Sequence, residues 1–202
     1  MLSVSNRESS VGARKGFPVC VRFLVTFLLV IVLDQVTKLL VMHYLPWSPE
    51  SPVYALGGKN PPICVIDGFF YIVHITNQGA AWGILSGQTY LLTSIALVTL
   101  AALWFFRKQL GYEYPAVQYA MGLFCGGIIG NLIDRICYGH VVDFLDVHLP
   151  IINYRWPAFN VADCGIAVGV GLYIIVSFII EHRQNKELKS GQEKRDRGIA
   201  GE

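Results

Sequence analysis

Carboxylate side chains lie in or beside the long apolar stretches of this sequence. Asp34 lies in the first stretch, Asp134 near the end of the third, Asp143 after it, and Asp163 at the start of the fourth. Two carboxylates held together in a partly dehydrated place cannot both ionise easily, so they share a proton and can act as acid and base. Such a pair can activate water against a carbonyl group without a metal ion.

Further polar side chains lie at helical spacing along the same stretches. Residues three or four apart share one face of a helix. The pairs with this spacing are Asp34 with Lys38, Asn131 with Arg135, and Asn160 with Asp163. Ionisable groups inside a membrane are costly and usually face the interior of a helix bundle, so we expect one shared site.

Each of these residues also has a structural explanation. Asp34 and Lys38 can form a salt bridge that only holds helices together. Asp134, beside Arg135, favours a structural role over a catalytic one. Asp163 fits an acid at a helix N-terminus, which the helix dipole favours. Spacing alone leaves these alternatives open.

Four apolar stretches predict an all-α membrane protein with four transmembrane helices. The chain of 202 residues is 53% hydrophobic and only 15% charged, against about 25% charged in soluble domains. A helix needs roughly 20 apolar residues to cross a bilayer. The stretches are residues 19–40, 90–106, 115–136 and 159–180, of which the second is the shortest. A soluble bundle is disfavoured because its helices rarely lack a polar face.

The distribution of lysine and arginine predicts the orientation. Twelve of the 16 basic residues lie in the N-terminal segment through Arg22, in the loop at 107–108 and in residues 181–202. The positive-inside rule places all three segments in the cytoplasm. Segments 41–89 and 137–158 then face outward, and the polar residues of the spans lie toward the outer leaflet. The net charge of +2 therefore reflects topology and indicates no nucleic-acid partner.

The outward segments predict a small β-rich subdomain. Residues 63–66 and 69–75 are rich in β-forming side chains, and Asp67-Gly68 between them is a hairpin signal. The second segment, 137–158, contains a short strand-like run followed by prolines, and we expect an extended loop that returns to the membrane surface.

Asp146 could be mistaken for a partner of Asp143. We expect residues 141–147 to be extended, because valine and phenylalanine favour strands. Side chains alternate faces along a strand, so Asp143 and Asp146 should point to opposite sides. Asp146 should then face solvent or lipid headgroups and need no proton partner.

The remaining segments carry weaker signals. Residues 1–18 and 181–202 are predicted to be cytoplasmic tails around a membrane domain at 19–180, and the charged C-terminal tail is expected to be disordered. The five cysteines form no CxxC motif that would indicate zinc. A disulfide between Cys64 and Cys137, which both face outward, is left open.

Five short stretches occur in a specific order. They are DQVTK (34–38), NQGAAWG (77–83), GNLIDR (130–135), GHVVDF (139–144) and FNVAD (159–163). Together they resemble the motif set of the bacterial lipoprotein signal peptidases, also called signal peptidase II. The resemblance covers about residues 17–180.

The resemblance implies a specific reaction. Members of this family cut the peptide bond before a diacylglyceryl-modified lipobox cysteine of a prolipoprotein. It implies that Asp143 and Asp163 form the catalytic pair, and it implies positioning or substrate-binding roles for Asp34, Lys38, Asn77, Gly79, Asn131, Arg135 and Asn160. We also expect a monomer in the bacterial inner membrane, in contact with membrane lipid and without metal or cofactor. The orientation predicted from lysine and arginine places its site near the outer leaflet.

Two other classes of function would also place acids in a membrane. A small transporter with a carboxylate relay explains the buried acids but not the hairpin or the NQGAAWG stretch. A structural membrane subunit would tolerate the loss of any one aspartate. Cleavage of a lipidated prolipoprotein separates all three.

Overall fold

A computed structural model describes residues 20–45, 47, 62–80 and 84–199 of the chain. The predicted N-terminal tail, residues 1–18, lies outside this part, as do residues 81–83 of the NQGAAWG stretch. The described residues form four α-helices and a small antiparallel sheet of four strands.

The helices begin and end close to the predicted apolar stretches. They are α1 (Cys20–Tyr44), α2 (Thr89–Phe105), α3 (Pro115–Tyr138) and α4 (Val161–Ile199). In the described part of the chain, α1, α3 and α4 are long and apolar enough to cross a membrane, whereas α2 has 17 residues and falls short of that length. The prediction of a mostly helical fold with long apolar helices is confirmed, and three of the four predicted spans reach membrane-spanning length in the described part of the chain.

Helix α3 forms the centre of the bundle, and small residues let its neighbours approach. Pro115 occupies the first turn, where its missing N–H costs nothing, and Gly139 ends the helix in the left-handed conformation with φ of 75°. A Cβ added at Gly130 would lie 2.6 Å from Oδ2 of Asp34 on α1 and 3.1 Å from Cβ of Ala162 on α4. Glycine therefore permits both helices to pack against α3 at one level.

The strands are β1 (Ile63–Ile66), β2 (Phe70–Asn77), β3 (Val141–Leu149) and β4 (Tyr154–Arg155), paired in that order. The predicted hairpin is confirmed: residues 67–69 connect β1 to β2, with Gly68 at φ of 69°. Asn77 pairs with Val141, and Ile75 with Asp143. This register brings the end of β2 beside the beginning of β3.

The sheet packs on the C-terminal end of α1. Val41 of α1 forms a buried cluster with Val142 and Phe144 of β3. The two strand residues flank Asp143, so the packing fixes this carboxylate at the end of the helix bundle. The small β-rich subdomain predicted from the sequence is therefore attached to the bundle at one end.

The second outward segment contains more structure than the predicted extended loop. After β3, Pro150–Ile152 form a 3-10 turn, and β4 pairs back along β3. The extended conformation predicted around Asp143 and Asp146 is confirmed.

The predicted exposure of Asp146 is wrong. Only 1% of Asp146 is exposed, and both of its carboxylate oxygens bind the Arg155 guanidinium. The return of β4, which pairs Arg155 with His148, brings the cation to Asp146. No local feature of the sequence indicates this partner, because Arg155 reaches Asp146 only through the return of β4 along β3.

One further expectation is corrected, and one alternative that the sequence left open is settled. Helix α4 continues beyond residue 180 to Ile199, where disorder was expected. Lysine, glutamate, glutamine and arginine are strong helix formers, so a helix that enters this charged segment can continue through it. Cys64 and Cys137 are both free thiols, so the disulfide left open by the sequence is absent.

Candidate active site

The N-terminus of α4 holds Asp163 through a reciprocal pair of hydrogen bonds. The Asp163 backbone N–H donates to Oδ1 of Asn160 at 2.9 Å, and the Asn160 backbone N–H donates to Oδ2 of Asp163 at 3.1 Å. This is the geometry of a capping box, with asparagine and aspartate in the two capping positions. The structural explanation of Asp163 as a helix N-terminal acid is therefore correct, and it does not exclude a chemical role.

Asp34 on α1 satisfies another backbone group of the same helix end. Its Oδ1 accepts a hydrogen bond from the Ala162 backbone N–H at 2.8 Å. Unpaired backbone N–H groups at the start of a helix need such partners when they are buried. A carboxylate from α1 thus fixes where α4 begins.

Lys38 connects the carboxylates inside the bundle. Its Nζ lies 2.8 Å from Asp34, 2.8 Å from Asp134 and 3.0 Å from Oδ1 of Asn131. Lys38 is only 1% exposed, so these three partners replace the water that would otherwise surround its ammonium group. Asn131 in turn donates to Oδ1 of Asp163 at 2.8 Å. The salt bridge between Asp34 and Lys38 is therefore part of a network that reaches Asp163.

Asp143 on β3 accepts one hydrogen bond on each carboxylate oxygen. The Asn160 side-chain amide donates to Oδ1 at 2.8 Å, and the Asn77 amide donates to Oδ2 at 3.0 Å. Asn160 also donates to Asn131 at 3.1 Å. Asn160 therefore contacts Asp143 through its amide nitrogen and Asp163 through its amide oxygen and backbone N–H.

The surroundings of Asp143 raise its pKa to about 7. Burial is the largest cause, and the nearby negative charge of Asp163 raises the pKa further. The hydrogen bonds from Asn77 and Asn160 and the charge of Lys38 oppose this rise. Asp143 can therefore gain or lose a proton near neutral pH, as a general acid or base must.

Both carboxylates line a cavity of about 490 Å³. Asn77, Gly79, Asn131 and Arg135 also lie on its wall. The remaining lining residues are mostly apolar; they include Trp156, Pro157, Ala158 and Phe159 after β4, and Ile166, Ala167 and Val168 of α4. A polar end with two carboxylates thus adjoins an apolar wall.

Arg135 joins the cavity to the loop after β2. Its guanidinium donates to the Gly79 carbonyl at 3.0 Å and more weakly to the Asn131 carbonyl at 3.4 Å. The Gly79 backbone N–H donates to Oδ1 of Asn77 at 2.9 Å. One residue of this loop is therefore bound from both sides by groups that also line the cavity.

The structure brings all nine sequence-predicted site residues into this one region. Six of them line the cavity, and Asp34, Lys38 and Asn160 lie directly behind it. Asp134 was assigned a structural role: besides binding Lys38, its Oδ2 accepts from the Val142 backbone N–H at 3.1 Å and so fixes β3 beside Asp143. Asp134 follows Asn131 by three residues and so lies on the same face of α3, which indicates that it belongs to the same site.

The Trp156–Phe159 wall was missed by sequence reasoning. It contacts β3 through backbone hydrogen bonds, including Trp156 N–H to Val147 O at 2.8 Å. Nothing in the local sequence distinguishes these residues from an ordinary proline-containing loop.

The fold and the site together define a helical membrane protein with a paired-carboxylate cavity at one end of its bundle. A family model described as signal peptidase (SPase) II matches residues 26–179. The chain therefore belongs to the signal peptidase II family.

Individual relatives agree with this assignment. A lipoprotein signal peptidase of Syntrophotalea carbinolica is 42% identical over 156 residues, which cover 74% of this chain and 86% of the relative. One from Bacillus subtilis is 36% identical over 160 residues, covering 79% and 95%. A solved structure, titled as a bacterial membrane enzyme studied by the in meso method at 2.3 Å resolution, superposes with a TM-score of 0.65 at 34% identity, covering 81% of this chain and 90% of that one.

Proposed function

We propose that this chain is a membrane aspartic endopeptidase that removes signal peptides from prolipoproteins, with Asp143 and Asp163 as its catalytic pair. Membership of the signal peptidase II family supports the reaction. The single observation that supports the pair is the cavity that both carboxylates line, with Asn160 in contact with both.

The two aspartates would share one proton in the resting enzyme. The ionised carboxylate draws a proton from a water molecule, and that water attacks the carbonyl carbon before the lipidated cysteine. The protonated carboxyl donates its proton to the oxyanion, which gives a tetrahedral intermediate. When this intermediate collapses, the C–N bond breaks, one carboxylate takes a hydroxyl proton back, and the carboxyl that holds the water proton donates it to the leaving amine, so one shared proton remains. The raised pKa of Asp143 supports a carboxyl that still holds a proton near neutral pH.

The other residues would position this pair. Asn160 and Asn131 hold the carboxylates through their amides, and Asn77 supports Asp143. Lys38 and Asp34 fix the network from behind.

Arg135 and Gly79 would bind the substrate backbone or carbonyl groups, since both lie on the cavity wall beside the carboxylates. The apolar residues of the wall suit a substrate that carries acyl chains and an apolar signal peptide.

The substrate chemistry also suits the proposed membrane placement. A scissile bond beside an acylated cysteine lies where lipid meets water, and the cavity lies at the end of the bundle next to the sheet. Helix α2, with 17 residues, would span about 25 Å and cross a bilayer core of about 30 Å with small adjustments. Both termini would then lie in the cytoplasm of a bacterial inner membrane, and the cavity near the outer leaflet. We propose that the enzyme acts as a monomer, without nucleic acid, metal or cofactor.

Cleavage of paired substrates tests this function. The purified chain is incubated with a prolipoprotein whose lipobox cysteine carries diacylglycerol, and with the same protein lacking the lipid. We expect signal-peptide release from the lipidated form alone, with the cysteine as the new N-terminus. Equal cleavage of both forms, or of neither, would contradict the proposal. The transporter alternative has no support in the fold or among the relatives.

A further inference from the structure

A second cavity lies at the other end of α1. It has a volume of about 510 Å³ and is lined by Phe23 and Leu24 of α1, Trp104 of α2, and Tyr112 of the connection to α3. Phe23 lies 18 residues before Val41, which contacts the sheet, so the two ends are roughly 27 Å apart along the helix. This cavity is therefore separate from the paired-carboxylate site.

Arg107 is fixed against one apolar wall of this cavity. Its Nη1 donates to the Trp104 carbonyl at 2.7 Å, and its guanidinium carbon lies 4.4 Å from the centre of the Trp104 ring. The aromatic face attracts the cation and holds it in one orientation. The guanidinium retains further N–H groups, and a guanidinium pairs well with phosphate oxygens.

Charges of both signs line the cavity. Lys108 lies beside Arg107 in the wall, and Glu113 completes the charged lining. Among the described residues, the ion pairs involve only Lys38 and Arg155 as cations, so Glu113 forms a salt bridge with neither Lys108 nor Arg107. A ligand that carries both a phosphate and an ammonium group would match this arrangement.

We propose that this cavity binds a glycerophospholipid with a phosphoethanolamine headgroup. The phosphate would bind Arg107 and Lys108, the ammonium would bind Glu113, and one acyl chain would lie along Phe23 and Leu24. A membrane lipid fits because the lining is largely apolar and because 71% of Trp104 is exposed beside an apolar helix. Tryptophan with basic residues at a helix end is typical of the membrane interface. The inference rests on the proposed membrane placement, in which this end faces the cytoplasmic leaflet.

Native mass spectrometry of the full chain in detergent tests the site. Phosphatidylethanolamine and phosphatidylglycerol with identical acyl chains are titrated against the wild type, and we expect preferential retention of phosphatidylethanolamine. The double variant Arg107→Gln/Lys108→Gln should weaken binding of both lipids by about tenfold or more, as expected for loss of charge-assisted hydrogen bonds. Glu113→Gln should remove the preference between the lipids.

Arg183→Gln/Lys186→Gln on α4 is the matched control, because it removes the same charge from exposed positions outside the cavity. It should retain wild-type binding. Equal binding by both double variants, or no preference in the wild type, would overturn the inference.

Each sample is also assayed for prolipoprotein cleavage, which should be unchanged. Lipid binding without cleavage by the wild type would refute the proposed function alone, whereas cleavage without specific lipid binding would refute this inference alone.

Discussion

The two carboxylates of the cavity are held by different kinds of donor. Asp163 accepts from a backbone N–H at the start of α4 and from the Asn131 amide, where the helix dipole also favours negative charge. Asp143 accepts from two side-chain amides and lies on a buried strand. Since its pKa is raised to about 7, we expect Asp143 to hold the shared proton in the resting enzyme.

The raised pKa of Asp143 predicts the alkaline limit of activity, which is the pH above which cleavage falls. Loss of the shared proton as the pH rises through about 7 should reduce cleavage, because no carboxyl remains to act as the acid. The Asn77 hydrogen bond stabilises ionised Asp143 and so lowers its pKa. Asn77→Ala should therefore shift the alkaline limit to higher pH, whatever its effect on the maximal rate. Cleavage rates measured across the pH range check the shift, and an unchanged or lower limit in the variant would contradict it.

At the scale of elements, two contacts fix the geometry of the site. Small residues of α3 let the start of α4 and the Asp34 carboxylate meet at one level. The Asp146–Arg155 pair ties β4 to β3, directly before the Trp156–Phe159 wall. The residues of both contacts lie outside the cavity lining. They fix the position of the start of α4 and of the Trp156–Phe159 wall, which do line it.

Gly130→Ala tests the first contact. Its Cβ would lie 2.6 Å from Oδ2 of Asp34 and 3.1 Å from Ala162, so we expect a lower unfolding temperature and reduced cleavage. Gly171→Ala on α4 is the control, because an added Cβ there meets nothing within 4 Å. It should be neutral or stabilise the helix by up to about 1 kcal/mol. Equal unfolding temperatures for the two variants would contradict the packing argument.

Asp146 and Arg155 test the second contact. Asp146→Ala and Arg155→Ala should each raise KM for the lipidated substrate more than they lower kcat. The Trp156–Phe159 wall would move, whereas the two cavity carboxylates would keep their hydrogen-bond partners. The double variant should lose less unfolding free energy than the sum of the losses in the two single variants, with a coupling of about 0.5–3 kcal/mol. Purely additive effects, or a loss confined to kcat, would show that the pair does not position the wall.

At the scale of the whole molecule, the number of crossings determines where the termini lie. Four crossings place residues before α1 and after α4 on one side, and three place them on opposite sides. We expect a single cysteine introduced by Lys186→Cys, in a chain with its native cysteines replaced, to be shielded from a membrane-impermeant thiol reagent in intact cells. Cys64 of β1, kept alone, should be labelled. The reverse pattern would contradict the four-span topology.

The sequence predicted the elements that local signals determine better than the contacts between distant segments. Apolar length predicted the helices, and Asp67-Gly68 predicted the hairpin, because both signals are local. The partner of Asp146 could not be predicted, since it depends on β4 returning along β3 after the Pro150–Ile152 turn. The extent of α4 was missed because composition alone does not show that a helix already formed can continue into a charged segment.

The site itself shows the same division between local and tertiary information. Motif order identified nine residues that the structure brings together. The hydrogen bond from Val142 to Asp134 and the apolar wall at Trp156 depend on tertiary packing between segments that are distant in sequence. No spacing rule along one helix or strand could have revealed these contacts.

The most direct test of the central claim compares three aspartate variants on one lipidated prolipoprotein. Asp143→Asn and Asp163→Asn remove the groups proposed to move protons, whereas Asp67→Asn makes the same change in the exposed hairpin. We expect Asp67→Asn to cleave at nearly the wild-type rate, and the other two to lose about a thousandfold or more while remaining folded. Near-normal cleavage by a folded Asp143→Asn or Asp163→Asn variant would contradict the assignment of this pair.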